Sequence, residues 1–295
     1  LPQPLIPTKL KFTALSPALI WIPVTSCLSF GFGQLFKWSQ RRGCYAPAVL
    51  ATNYLVVAGL LLLYHLLGEG LNFAAPVLFL GCVMGCSFIL SMSLMTRALE
   101  IANVAAVLTA FRLAILVPIG ASVLLWGEEV SAIQLTGMAM AAAALVLMTR
   151  RGGHGGKEGR RDLSLAFLVF ALQGVSQTCL RWVHYAGLDS QRLHVLFITA
   201  ATAGLLGSLV VLIRRRRLVA ADLHMGGGIG VYNLVALGVL LTALSVVGGT
   251  TFFPIHGCGV VILDSLFAHF YWKERLGPLA ALGALLGASS MLLVL

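Results

Sequence analysis

Charge is scarce in this sequence. Only 10% of the 295 residues are Asp, Glu, Lys or Arg, against about a quarter in an ordinary soluble domain, while 59% are hydrophobic. A soluble fold could not cover so much apolar surface. Basic residues outnumber acidic ones 20 to 10, and they stand in short clusters between long uncharged runs. Such clusters are typical of loops beside anionic lipid headgroups, so we expect a lipid bilayer as partner and no nucleic acid.

Motifs of several other protein classes are also missing. The six cysteines are scattered and form no CxxC pair, so we expect neither a disulfide framework nor a metal site. HExxH, GxSxG and paired-aspartate motifs do not occur. We therefore predict no enzyme activity and no cofactor. A convergent group of Asp264, His256 and Ser265 keeps an intramembrane enzyme as one alternative, and a pore or channel is another.

Ten uncharged stretches fill most of the chain, and each approaches the about 20 residues that cross a bilayer. Gly248-Gly249, with Pro254 shortly after, is the natural break in the longest one, because both residue types interrupt helices. The pattern predicts an all-α, polytopic membrane protein, multi-pass in the cell (inner or plasma) membrane. The ten predicted transmembrane helices lie near 15–36, 46–67, 74–95, 102–126, 131–149, 163–182, 193–213, 226–247, 250–271 and 277–295.

A basic, glycine-rich segment at 151–162 has the composition of a flexible linker and divides the ten stretches five and five. The first five-helix repeat is predicted over 1–150 and the second over 163–295. With an odd number of spans in each, the second repeat enters the membrane the other way up. This inverted 5+5 repeat is an arrangement that secondary transporters use for alternating access.

One motif recurs in both halves at a constant spacing of 146 residues. Trp, Glu and a later Gly stand at 126, 128 and 137, and again at 272, 274 and 283. Each glutamate precedes a predicted helix, where a carboxylate suits the positive end of the helix dipole, so we interpret both as turn residues. Small residues four apart, as in Gly81-xxx-Gly85, allow close helix packing within a monomer or between two copies, so both a monomer and a homodimer stay open.

Several short motifs, in this order and spacing, resemble the drug/metabolite transporter superfamily, in particular its EamA-like ten-helix members. They are 117–119, 126–128 and Gly137 in the first half, 251–255, 259–261 and 272–276 running into Gly283 in the second, together with 53–54 and 230–233. The resemblance implies a secondary carrier of small metabolites without naming the substrate. Arg112 stands where relatives of one bacterial branch tend to carry lysine, and His256 stands where they tend to carry asparagine.

Three titratable residues lie deep inside predicted spans. A charge at the depth of Arg112 costs at least about 2.5 kcal/mol, so its guanidinium should face a substrate anion or a structural partner such as Asp264. Asp264 and His256 are candidates for proton or ion coupling or for substrate binding. Because these residues come from the fourth and ninth spans, which are equivalent in the repeat, we expect them to converge on one central cavity near the midplane.

Uncharged polar residues form a second group of predicted substrate-binding positions. Gln173 and Gln177 are four apart and share one helix face. The remaining members are Gln34, Asn53, Tyr232 and Asn233. We expect these residues to complete the wall of the central cavity or to hydrogen-bond neighbouring helices.

The sequence thus predicts a secondary active transporter of a small polar metabolite, with anionic and amino-acid-like compounds among the candidates. Orientation is contested. Loops after the odd-numbered spans hold about 15 Lys and Arg and the rest about 4, which places both termini outside by the positive-inside rule. The family resemblance implies the opposite orientation.

Overall fold

Every regular element in the described part of the chain is a helix. The computed structural model describes residues 17–68, 70, 73–101, 104–149, 160–214, 219–271 and 278–294. Short 3-10 helices cover Pro17–Ile20 and Asp189–Gln191. The α-helices are α1 (Trp21–Arg41), α2 (Ala46–Leu67), α3 (Ala75–Ile101), α4 (Val104–Leu113), α5 (Leu116–Leu124), α6 (Ala132–Thr149), α7 (Arg160–Tyr185), α8 (Arg192–Ile213), α9 (Ala220–Val246), α10 (Gly249–Phe270) and α11 (Pro278–Val294).

The outer surface of these helices suits lipid rather than water. Large apolar side chains such as Leu67 and Leu124 are 80% and 84% exposed. Six helical stretches among the described residues are long and apolar enough to cross a membrane: Ala18–Arg41, Ala46–Leu67, Ala75–Ala98, Asp189–Ile213, Ala220–Val246 and Gly249–Phe267. The predicted class, an all-helical integral membrane protein, is confirmed by these features.

Two prolines affect the helices differently. The predicted span at 102–126 is interrupted by a turn at Ala114 and Ile115, which separates α4 from α5. Pro118, four residues after Ala114, has no N–H for that carbonyl and its ring crowds it, so the helix breaks there. α9 and α10 meet at the predicted glycine break, but Pro254 lies inside α10, which continues through it.

Glycines let four helices approach each other at backbone distance. On α3, a methyl group added to Gly85 would lie 2.6 Å from the Thr199 carbonyl oxygen of α8. On α9, a methyl group added to Gly230 would lie 2.7 Å from the Asn53 carbonyl oxygen of α2. Gly81 and Gly226, one turn earlier, make the corresponding contacts with the carbonyls of 195 and 49. The Gly81-xxx-Gly85 motif therefore packs helices within the monomer.

The contacting pairs also give the relative directions of the helices. Residue numbers rise together along α3 and α8, and along α2 and α9, so these pairs are parallel. α6 and α11 are antiparallel, because Gly137 contacts Val294 whereas Ala144 contacts Gly287. Gly137, Ala144 and Gly287 thus lie at the contact between these two helices. The buried core runs between both halves of the chain and includes Leu145, Leu196 and Phe252.

Candidate functional site

A polar cluster of an ion pair and a glutamine connects three helices in the apolar interior. The Arg112 Nη2 donates a hydrogen bond of 2.7 Å to Oδ2 of Asp264. The other carboxylate oxygen accepts a 2.9 Å bond from Nε2 of Gln34. α4, α10 and α1 each supply one member, and the two charged side chains are 29% and 25% exposed. From the sequence, Arg112 had two candidate partners, a substrate anion or Asp264. In the structure Arg112 is paired with Asp264.

His256 lies on the same helix as Asp264, two turns nearer its N-terminus. Its ring stacks on Phe252 at 5.0 Å between centroids, and its Nδ1 is 3.4 Å from Oγ of Ser26. The pairs Ser26–His256 and Gln34–Asp264 have the same separation of 230 residues. α1 and α10 therefore run parallel and side by side.

A cavity of about 160 Å³ lies among α1, α2, α3, α7 and α9. Three of the nine predicted site residues, Gln173, Gln177 and Asn233, are in its lining, and the two glutamines lie one turn apart on α7. The remaining lining residues are Ser29, Phe32, Tyr54, Phe88, Met92, Ser176, Leu180, Ala236, Leu237 and Leu240. The side chains at 34, 53, 112, 232, 256 and 264 lie outside this lining. Instead of one convergent site, the structure has a cavity and a separate polar cluster of Gln34, Arg112 and Asp264.

The two glutamines of the cavity differ in their bonding. Oε1 of Gln173 accepts a 2.7 Å hydrogen bond from the Ser91 hydroxyl of α3. Oε1 of Gln177 is buried, and no donor among the described residues reaches it. A buried acceptor of this kind is uncommon in a folded protein, where the large majority of buried side-chain polar atoms are hydrogen-bonded.

Asn53 and Tyr232 lie between helices. Asn53 is 1% exposed, and neither atom of its carboxamide has a hydrogen-bond partner within the described part of the chain. The hydroxyl of Tyr232 fits against Gly31 of α1, where an added methyl group would lie 2.0 Å from it. Both residues therefore contribute to helix packing at these positions.

A second charged cluster, at the junction of α9 and α10, was missed by the sequence prediction. Arg181 of α7 is 4% exposed. Its Nη1 donates to the carbonyls of Leu244 and Val247, the latter at 3.0 Å, where α9 ends. Its Nη2 donates a 2.8 Å bond to Oε1 of Glu128. The available signal was a lone arginine inside the predicted span 163–182.

Glu128 caps the start of α10 rather than the start of α6, the next helix in the chain. Its carboxylate accepts 3.0 and 2.9 Å bonds from the N–H groups of Gly249 and Thr250, and a 2.8 Å bond from the Thr250 hydroxyl. Tyr185 donates a further 2.8 Å bond. The predicted cap at a positive helix end therefore belongs to the other half of the protein. Glu274 and Trp272 lie outside the described residues.

The Glu128 carboxyl is strongly acidic. Burial raises its pKa, but the N–H of Thr250, the charge of Arg181 and the N–H of Gly249 together outweigh burial and lower the pKa to about 2. The carboxylate is thus ionised throughout the physiological range. Arg181 at the C-terminus of α9 and Glu128 at the N-terminus of α10 each match the dipole of the helix they bind.

The described residues offer no group of three or more His, Cys, Asp or Glu side chains that could hold a metal ion. The chemistry available at the cavity is therefore that of carboxamides, hydroxyls and aromatic rings. The ion pairs of Arg112 with Asp264 and of Arg181 with Glu128 lie outside this lining.

No protein-family model and no curated protein matches this chain. Solved structures share its fold. One chain from a crystal structure that is described only as that of a protein has a TM-score of 0.76, covering 95% of this chain and 96% of its own length at 16% sequence identity. At this identity the likeness concerns the fold alone: this arrangement of helices exists in a solved protein.

Proposed function

We propose that this chain is a secondary active transporter that moves a small polar metabolite by alternating access. Its ten spans form an inverted 5+5 repeat, in which α4 and α5 together make the fourth span. The observation that carries the proposal is the matching packing of the two halves through their glycines. The resemblance of the sequence motifs to EamA-like drug/metabolite transporters points the same way.

The glycine contacts of one half repeat in the other at nearly the spacing of the sequence motif. Gly81 and Gly85 correspond to Gly226 and Gly230, 145 residues later. The carbonyls they approach, at 195 and 199, correspond to those at 49 and 53, 146 residues earlier. An exchange of the halves by a two-fold rotation would reproduce this pattern, as a repeat requires.

The helix directions support the alternating topology. Because α4 and α5 together make the fourth span, α8 is the seventh span and α9 is the eighth. The parallel pair of α3 and α8 therefore joins spans three and seven, which are both odd-numbered, and the parallel pair of α2 and α9 joins spans two and eight, which are both even-numbered. α6 is the fifth span and α11 is the tenth, so one is odd-numbered and the other even-numbered, and the two helices are antiparallel. With five spans in each repeat, the same parity argument makes the repeat inverted.

The cavity and the ion pairs have the positions that alternating access needs. The cavity is lined from the first half by α1, α2 and α3, and from the second half by α7 and α9. The bonds from Gln34 and Arg112 to Asp264 cross between the halves, and so do the bonds of Glu128 to Arg181 and Thr250. Rocking of one half against the other would break and remake these bonds around the cavity. Asp264 and His256 remain candidates for proton coupling in the cell membrane.

The test is solute flux through purified protein in liposomes. A carrier gives saturable uptake that accelerates when unlabelled substrate is present on the opposite side. The screen covers amino acids, nucleobases, amides and organic acids, each with and without a pH gradient. Empty liposomes, and liposomes with an unrelated helical membrane protein, are the controls. Flux that never saturates and shows no exchange would identify a pore, and conversion of a compound without any gradient would identify an enzyme.

A further inference from the structure

We propose that the cavity among α1, α2, α3, α7 and α9 binds small uncharged compounds with a single ring and at least one N–H or O–H donor. The inference deepens the proposed function by naming the class of substrate, and its role in transport rests on that function. Binding can be measured without transport. Four features of the cavity lead to this class: absence of charge, size, aromatic side chains and an unpaired acceptor.

No charged side chain lines the cavity among the described residues. Arg112, the cation predicted to clamp an anion, is paired with Asp264 outside the lining. A charged ligand would therefore lose its hydration without gaining an opposite charge. This selects against carboxylates, phosphates and ammonium compounds.

The volume of about 160 Å³ has room for one ring with small substituents. For comparison, an engineered cavity of about 150 Å³ in another protein holds benzene. Compounds with two fused rings and a side chain, or with a sugar attached, exceed this volume in the conformation described.

The two halves of the chain contribute different chemistry to the lining. The first half supplies the aromatic rings of Phe32, Tyr54 and Phe88. The second half supplies the carboxamides of Gln173, Gln177 and Asn233. Aromatic rings favour a planar apolar body, and carboxamides both donate and accept hydrogen bonds. A ring bearing an amide, or a ring with N–H and C=O groups, satisfies both.

The unpaired acceptor of Gln177 favours a ligand that carries a hydrogen-bond donor. Oε1 of Gln173 is already bonded to Ser91, whereas Oε1 of Gln177 has no donor within the described part of the chain. The Gln177 side chain lines the cavity, and a turn of its carboxamide would bring this buried oxygen within reach of a ligand N–H or O–H. A ring without a donor would leave this acceptor unpaired and buried.

The experiment compares three ligands with the same ring on the purified protein in detergent. Benzamide is neutral, benzoate is an anion and benzylamine is a cation at pH 7. Binding is measured by the rise in unfolding temperature and by calorimetric titration. We expect benzamide to bind at least about tenfold more tightly than either charged compound. Equal or tighter binding of benzoate or benzylamine would overturn the inference.

The variant Gln177→Met removes the acceptor with little change in side-chain shape. We expect affinity for benzamide to fall about tenfold, as for the loss of one buried hydrogen bond. The matched control is Gln40→Met, at an exposed position of α1, which should leave affinity unchanged. Unchanged affinity in Gln177→Met would contradict the role of the acceptor. The ligand comparison on the natural sequence decides the charge preference even if the variant does not fold.

Transport assays separate this inference from the proposed function. Binding of benzamide without saturable flux of it or any screened solute would leave the ligand class standing and contradict the transporter. Saturable flux of an anionic metabolite, without benzamide binding, would support the transporter and contradict the ligand class.

Discussion

Arg112 and Asp264 each compensate the charge of the other inside the protein. Each lies in an otherwise apolar helix, and together they form an ion pair of 2.7 Å. Removing one charge leaves the other stranded in a medium of low dielectric constant, which destabilises the fold. Removing both restores an uncharged interior.

We expect Arg112→Gln and Asp264→Asn each to lower the free energy of unfolding. The loss should be below the about 3–5 kcal/mol of a fully buried pair, since both side chains are partly exposed. The double variant should recover most of it, and exposed Arg214→Gln should change little. Unfolding in detergent, followed by intrinsic fluorescence, gives the comparison. If Arg112→Gln keeps full stability but abolishes transport, the arginine is a substrate clamp instead.

Asn53 is predicted to lower stability at its position. Its carboxamide is buried with both polar atoms unpaired among the described residues, and a buried orphan group costs about 1–3 kcal/mol. Asn53→Leu, which has nearly the same shape, should therefore raise the unfolding temperature. Exposed Gln40→Leu should not. A lower unfolding temperature for Asn53→Leu would show that the amide is bonded in the folded protein.

At this scale the sequence reveals which residues are unusual but not what they touch. Arg112, Asp264 and Gln177 stand out because polar groups are scarce in apolar runs. The partners depend on helix rotation and depth: Gln34 reaches Asp264 only because α1 and α10 are parallel and in register. Arg181 was missed because its two carbonyl partners, at a helix end, leave no trace in sequence composition.

The junction between α9 and α10 is the element whose stability should depend most on pH. The folded pKa of Glu128 lies below its ordinary value of 4.5, at about 2. A lowered pKa stabilises the fold above the unfolded value, and that contribution is lost as pH falls from about 4.5 towards 2. The difference corresponds to about 3 kcal/mol at neutral pH.

Glu128→Gln should therefore be less stable than the natural protein at pH 7, with the difference shrinking as the pH approaches 2–3. The neighbouring, exposed Glu129 provides the matched control, and Glu129→Gln should have little effect. Unfolding temperatures at pH 7, 5 and 3 in an acid-stable detergent provide the measurement. A constant difference at all three values would mean that the carboxylate charge is not what stabilises the junction.

The helix contacts predict opposite effects for neighbouring glycines. Gly230→Ala places a methyl group 2.7 Å from a backbone oxygen of α2, so it should destabilise the fold. A methyl group on Gly228 meets nothing within 4 Å, so Gly228→Ala should gain up to about 1 kcal/mol of helix propensity. Gly85→Ala should resemble Gly230→Ala, because its contact is the equivalent one in the other half. Equal effects of the alanines at 228 and 230 would argue against backbone-distance packing.

Most elements are predictable from the sequence because their boundaries coincide with charges, glycines and prolines. The ten predicted stretches overlap α1–α11 closely, since a long uncharged run in a membrane must be helical. One predicted stretch, 102–126, is divided into two helices, α4 and α5, and Pro118 is the residue in the sequence that could have indicated this break. The same residue type at 254 did not break α10, so proline alone does not decide the outcome.

The proposed topology of ten alternating spans determines which loops lie on the same side of the membrane. Gln40 at the end of α1 should then lie opposite Glu129 and Ser190, and all three are exposed. Single cysteines placed at these positions in a cysteine-free variant should react with a membrane-impermeant maleimide from one side for position 40 and from the other for 129 and 190. Labelling of all three from the same side would contradict the ten-span topology.

The proposed repeat is only partly evident from the sequence. The Trp, Glu and Gly motif suggests two halves. The correspondence of Gly81 and Gly85 with Gly226 and Gly230 is stronger support, but these four cannot be picked out by sequence from the 32 glycines of the chain. Only their contacts with equivalent carbonyls single them out. The division of polar residues between a cavity and a separate ion-pair cluster is likewise a property of three-dimensional packing.

The buried Arg181 has no counterpart in the other half, where the position 146 residues earlier is Leu35. A protein with identical halves would spend equal time open to each side, because rotation would interconvert two states of the same free energy. Here the state described holds Arg181 and Glu128 bonded at one end. If opening that end separates them, the state open there loses these bonds and is disfavoured at rest. On the proposed function, the transporter would therefore wait with a preferred side, and substrate would be needed to reverse it.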